Sequence, residues 1–215
     1  MGRGDLVTAP LDTDRHPLTD VAYQISCRER LDTDGALVLS GLVPASIIDE
    51  IVADAAPRID EAFFADSTHN VYLTDPDPCL ANGHAFNRQV VSSKGLIADD
   101  QIPPDSPLRT IYADSDLRGF LCAVLGIESI HAYDDPLSSI NVHFAPHGRE
   151  LGWHFDNSSF AVTLLLQAPQ GGGIFEYVPA ARASGRGEQG YETVDAVLDG
   201  IHPVETLTFA PGDLV

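Results

Sequence analysis

Positive charge is what this sequence has least of. Lysine occurs once, at Lys94, and the basic residues together number 12 against 32 acidic ones, a formal charge of −20 over 215 residues. So acidic a surface repels phosphate backbones and anionic headgroups, which argues against nucleic acid or a membrane as partner. Anions that bind must be small and held by individual arginines. Cysteine is also sparse: Cys27, Cys79 and Cys122 are odd in number and far apart, with no C-x-x-C pair. That excludes a disulfide framework or a thiolate zinc site and fits a reducing cytoplasm. No apolar run approaches the ~20 residues of a membrane span, and the opening M-G-R-G-D-L-V-T-A-P has no apolar signal core. A soluble, cytoplasmic protein is expected. There is no G-x-S-x-G elbow, and Gly171-Gly172-Gly173 is not followed by the Lys-Ser/Thr of a phosphate loop, so the glycine run reads as a hairpin turn.

What is present suits one domain: 44% hydrophobic and 20% charged residues, in a chain long enough to bury a core. Residues 1–17 carry Gly, Pro, Asp and Thr without periodicity and are expected as a flexible arm, with a single domain over 18–215. Val21, Ala22, Ile25 and Leu31 suggest a helix over Leu18 to Leu31, and Ala36 to Leu39 a short strand. Ile47, Ile48, Ile51, Val52, Ala55, Ile59 and Phe63 recur at helical spacing after Pro44. Residues 65–83 and 92–107, rich in Asp, Pro, Asn, Ser and Gly, read as loops. A helix over Ser115 to Leu125 is capped by Asp114 or Ser115 and stopped by Gly126. From Ile130 short strands dominate: Ser139 to Phe144, Gly152 to Asp156, Ala161 to Gln167, Ile174 to Val178 and Val204 to Phe209. They are interrupted by a loop over 180–190 and a helical Tyr191 to Leu198. Helices first and strands after them indicate α+β.

The chemistry concentrates in Gly152 to Phe160, G-W-H-F-D-N-S-S-F. In an extended segment His154 and Asp156 point to one side and Phe155 to the other. An imidazole and a carboxylate side by side are two thirds of the 2-His-1-carboxylate set that holds non-haem Fe(II). Read from the residues alone, the pair also suits a metal-dependent hydrolase, and the strands a non-catalytic β-barrel binding small molecules.

The run from Asp135 to Arg182, with N-V-H-F-A-P-H-G-R-E-L-G-W-H-F-D-N-S-S-F-A-V-T-L-L-L-Q-A-P-Q-G-G-G-I-F-E-Y-V-P, resembles the Fe(II)/2-oxoglutarate-dependent oxygenases. Within them it is most similar to the group of free-amino-acid halogenases and related hydroxylases. D-G-A-L-V-L-S-G-L at Asp34 to Leu42 resembles the start of such enzymes. The resemblance implies a double-stranded β-helix, a jelly-roll or cupin-like barrel, with N-terminal helices packed on it. It implies Fe(II) on His154 and Asp156, 2-oxoglutarate as co-substrate, and O2. A second histidine ligand and an arginine for 2-oxoglutarate would follow a P-G-D-L-V-like segment. The sequence ends on that segment, at Pro211 to Val215, so the last barrel strands are expected to be missing. His202 precedes it and reads as a loop residue, while His143 and His147 lie before the motif and would line the pocket or cap a turn. In the halogenases the position of Asp156 holds a small residue that leaves room for chloride. A carboxylate there implies hydroxylation, or desaturation or cyclisation, of an unactivated C–H bond in a small amino-acid-like substrate. Arg88 matches in approximate position an arginine that meets the substrate carboxylate in relatives, with a surface ion pair as its other reading. Asn157 and His84 are further substrate-side candidates. Asn141 and Tyr133 are candidates to hydrogen-bond 2-oxoglutarate, or are structural.

Overall fold

The computed structural model describes residues 9–135, 137, 139–182 and 187–215. Residues 1–8 of the expected arm and 183–186 of the expected loop lie outside the described residues.

Capping signals fix the helices around the first core. Asp20 accepts from the Tyr23 amide to start α1, Val21–Asp34, and Gly35 ends it at φ 74°. Asp114 accepts from the Leu117 amide to start α4, Ser115–Leu125, and Gly126 ends it at φ 67°. The inward side of α1 differs from the expected one: Val21 and Ile25 are 66% and 54% exposed. Tyr23, Cys27 and Leu31, four residues apart, face α4 instead, with Tyr23 stacked on Phe120 at 5.9 Å. The expected arm packs from Leu11 onward. Leu11 is buried, and His16 accepts from the Tyr23 hydroxyl at 2.6 Å through Nδ1 and donates to the Ser40 carbonyl at 2.9 Å through Nε2. Burial, together with a bond to Cys27, pushes the Tyr23 phenol up to about 12, so it stays a donor.

Helix α2, Ala45–Ala55, buries Ile47, Ile48, Ile51 and Ala55. The expected continuation to Phe63 stops at Pro57, which has no N–H to give back to the preceding turn. A 3-10 stretch, Ala56–Glu61, follows and leaves Ile59 and Phe63 exposed. Strand β1, Phe63–Asn70, then enters what read as a loop, and β2, Gln89–Ala98, occupies much of the second one. They pair antiparallel from Phe63↔Leu96 to Asn70↔Gln89. Their Asp, Ser, Thr, His and Lys content hides them from a search for apolar alternation, because the ladder itself holds them together. A short helix α3, Pro107–Ala113, begins on a proline at its first position and ends that loop.

Strand β3, Asn141–Phe144, pairs with the other edge of β2, and Ile97, Ile140 and Val142 form a second core with Ala55 and Ile102. β4, Phe175–Tyr177, pairs antiparallel with β5, Glu205–Leu207, across α5, Tyr191–Leu198. Among the described residues the strands thus make a three-stranded sheet, β1-β2-β3, and a two-stranded one, β4-β5, in an α+β arrangement without a closed barrel. The expected strands at Ala36 to Leu39 and Ala161 to Gln167 reduce to single bridges from Leu39 and Leu164 to Leu214. Thr163 and Val215 exchange two main-chain bonds of 2.9 Å beside them. No helix among the described residues is long and apolar enough to cross a membrane.

Candidate functional site

Beyond β3 the chain turns and runs along the free part of the same edge of β2. The Ser93 amide donates to the Glu150 carbonyl at 2.7 Å, and the Gly152 amide to the Ser92 hydroxyl at 2.9 Å. Gly152 to Asp156 forms no ladder of its own, contrary to the strand expected there, because side chains and one further main-chain bond take the ladder's place. That bond runs from the Phe155 amide to the Val71 carbonyl at 2.7 Å. Gly152 is required by this close approach, since a Cβ on it would lie 2.6 Å from the Val91 carbonyl oxygen. Gly152→Ala is expected to push the segment off β2 at a cost of about 1–3 kcal/mol. Thermal unfolding checks this, and an unchanged midpoint would refute it.

Phe155 is the anchor. Its ring meets Tyr72 at 5.4 Å in a third apolar cluster with Val71, Ala85 and Val194. The Arg182 guanidinium covers it at 4.1 Å from the ring centre and donates to the Asp156 carbonyl at 3.3 Å. With Phe155 held on one side, His154 and Asp156 emerge together, His154 Nε2 lying 3.6 Å from Asp156 Oδ1. His154 Nδ1 donates to the Gly152 carbonyl at 2.8 Å. A carbonyl only accepts, so in the neutral ring the proton sits on Nδ1 and the Nε2 lone pair is free. That is the state in which a histidine ligates metal with its other nitrogen tied to a carbonyl. The donor pair therefore fits two positions of an Fe(II) site. Among the described residues, no cluster of three His, Cys, Asp or Glu side chains completes it.

Other candidate residues fall elsewhere. Arg88 donates to Asp195 at 3.0 Å and Asp199 at 2.8 Å, tying the start of β2 to α5, and these bonds raise its guanidinium above its ordinary value. Arg88 thus takes the ion-pair arrangement that was the other reading of its substrate role. His84 accepts from the Phe86 amide at 3.2 Å and meets the Tyr191 ring edge-on at 4.7 Å, on the aromatic side with Tyr72 and Phe86. Asn141 pairs with Ala98, roughly 20 Å along β2 from Ser92. Tyr133 is 64% exposed, and its amide donates to the Tyr112 hydroxyl. Asn157 is exposed just beyond Asp156. His143, opposite Leu96, has its imidazole held below the usual range by its crowded surroundings and by Lys94. His202 follows α5 and bonds the neighbouring Pro203 carbonyl.

No sequence pattern points to His69, on β1, whose ring stands perpendicular to that of His154 at 6.4 Å between centres. Ser92 is hidden likewise. Only the β1–β2 register, which no apolar alternation announces, brings these residues to Gly152.

Fold and site together define an α+β protein carrying a His-x-Asp donor pair on an irregular segment beside a small antiparallel sheet. The family described as Halogenase D matches residues 20–215, and the chain belongs to it. No curated protein matches the chain.

Proposed function

We propose that the protein is an Fe(II)/2-oxoglutarate-dependent oxygenase that hydroxylates an unactivated C–H bond of a small amino-acid-like substrate. The observation that carries this reading is the pairing of His154 and Asp156 on one side of the chain, with His154 Nδ1 tied to Gly152 and Nε2 free. Membership of the Halogenase D family supports the chemistry class. The resemblance of Asp135 to Arg182 supports the substrate class and a double-stranded β-helix as the frame.

His154 Nε2 and Asp156 would hold Fe(II), which together with 2-oxoglutarate would supply the oxidation of the C–H bond by O2. The chain's own residues provide position and charge. Phe155, packed on Tyr72 and covered by Arg182, prevents the donor pair from rotating. The Gly152 carbonyl keeps the His154 proton on Nδ1. Asp156 would offer a negative oxygen to the metal where, in the halogenases the sequence resembles, a small residue leaves room for chloride, and this supports hydroxylation, or desaturation or cyclisation, over chlorination. Anaerobic titration of the full chain with Fe(II) and 2-oxoglutarate is expected to develop a weak visible charge-transfer band. Its absence would sink the oxygenase reading in favour of a binding protein.

A further inference from the structure

Four hydrogen bonds in a row lead away from His154, and their donor directions are fixed by elementary valence. His69 Nδ1 lies 2.9 Å from the Asn70 carbonyl, which can only accept, so Nδ1 carries the proton and the neutral ring offers a lone pair at Nε2. Ser92 Oγ, 2.7 Å from that Nε2, must donate to it. The Ser92 oxygen is then free to accept, and it receives the Gly152 amide at 2.9 Å. The Gly152 carbonyl in turn accepts from His154 Nδ1 at 2.8 Å. Every link runs the same way, from the His154 N–H through Gly152, Ser92 and His69 to the Asn70 carbonyl. Ser92 and Asn70 are buried, at 7% and 1% exposure, so water does not readily replace either. Asn70 is itself fixed, its side-chain oxygen accepting from the amides of Tyr72 and Thr74.

We infer that Ser92 and His69 are positioning residues for His154. The Ser92 hydroxyl, itself held by His69, fixes the Gly152 backbone through its N–H, and so fixes where the Gly152 carbonyl of the next peptide unit stands; that carbonyl sets the tautomer and ring plane that present His154 Nε2 as a ligand. Both residues lie on the β1–β2 ladder, more rigid than the irregular segment they hold. The Gly152 N–H and C=O belong to successive peptide units joined at the Gly152 Cα, so the hydrogen-bond chain acts on His154 by position and not by polarisation along it. The perpendicular contact of the His69 and His154 rings at 6.4 Å holds the same ring plane from the side.

The test reads the imidazole itself. In metal-free, 15N-histidine-labelled full chain at about pH 8, above the ordinary imidazole range, long-range 1H–15N correlation is expected to show His154 protonated at Nδ1 alone. Ser92→Ala is expected to give a mixture of tautomers and to weaken Co(II) binding, used as an air-stable stand-in for Fe(II), by about tenfold or more. Ser92→Thr keeps the hydroxyl and should restore both readouts towards wild type. His69→Phe keeps a ring against His154 but removes the acceptor, and should shift both readouts in the direction of Ser92→Ala. A wild-type His154 protonated at Nε2 would overturn the inference even if Ser92→Ala fails to fold. So would a tautomer indifferent to both Ser92→Ala and His69→Phe. The metal half of the test rests on the reading of His154 as a ligand, whereas the tautomer half does not. If Asp156→Ala binds Co(II) like wild type while the tautomer responds as expected, the oxygenase site fails and the positioning chain stands. If Co(II) binding needs Asp156 but the tautomer ignores Ser92 and His69, the chain fails and the site stands.

Discussion

Replacing Asp156 with alanine is expected to reduce the proposed hydroxylation to background while leaving the fold intact. The two halves of this outcome have separate causes. Asp156 is about half exposed, and its carboxylate lies beside His154 Nε2 at 3.6 Å, while its bond to Arg182 uses the backbone carbonyl, which alanine keeps. Stability should therefore change by no more than about 0.5 kcal/mol, as for other surface substitutions. Activity should fall much further, because the variant removes one of the two donors the segment offers. Residues that merely orient a metal ligand typically cost about 10–100-fold, and loss of a ligand should exceed that range. Asp156→Asn keeps the shape and removes the charge, and is expected to fall between alanine and wild type in Fe(II) affinity. Measured kcat/KM with the thermal midpoint as control decides the matter. An alanine variant that turns over like wild type would show that the carboxylate is not a ligand and would return the His-x-Asp pair to an ordinary surface role.

That His154 and Asp156 lie side by side was legible in the sequence, because a two-residue spacing in extended chain puts both side chains on one side whatever the rest of the fold does. The same holds for features governed by short-range rules. Asp114 and Gly126 bracket α4 as caps, Tyr191 to Leu198 forms α5, and the α2 stripe is right as far as Ala55. Long-range pairing was not legible. β1 and β2 carry Asp66, Ser67, Thr68, His69, Ser92, Ser93 and Lys94, whose polarity reads as loop, yet they form the longest ladder described. What surrounds His154 depends on that ladder: Ser92 reaches Gly152 from 60 positions away. Arg88 illustrates the converse. Its guanidinium suits a carboxylate ligand, but the sequence does not reveal that α5 folds back to present Asp195 and Asp199 to it. For α1 the apolar spacing was real but pointed to the wrong side, because Tyr23 and Cys27, less conspicuous than Val21 and Ile25, meet Phe120 and Leu117 in the core.

Asp213→Ala is expected to be strongly destabilising. Asp213 is buried at 7% exposure and accepts two main-chain bonds, from Gly41 at 2.7 Å and from Ala210 at 2.8 Å. The first crosses from the Pro211-Gly212-Asp213 turn to the turn at Ser40 and Gly41, and the second closes the Pro211-Gly212-Asp213 turn on itself. Around them the Val43 amide donates to the Gly212 carbonyl at 3.0 Å, and Leu214 bridges both Leu39 and Leu164. Gly212 has φ 94° and a Cβ there would lie 2.5 Å from the Val43 carbonyl oxygen, so the turn cannot shift to meet a shortened side chain. Alanine would remove the acceptor from two N–H groups, those of half-buried Gly41 and of Ala210 at the exposed end of the turn. Hydrogen bonds to a charged group contribute about 1.5–3 kcal/mol each, and allowing for partial relaxation the expected loss is about 2–4 kcal/mol. For a chain of this size that corresponds to a midpoint lower by roughly 5–15 °C. The Asp213→Asn variant retains one acceptor oxygen and should lose about half as much. Since Asp213 lies in the first core rather than beside Phe155, turnover per folded molecule should be preserved at a temperature where the variant remains native. A lowered midpoint with normal Co(II) affinity assigns the turn to the framework that joins the N-terminal helices to the strands. Weakened Co(II) binding at an unchanged midpoint would instead place Asp213 in the function of the His154 site.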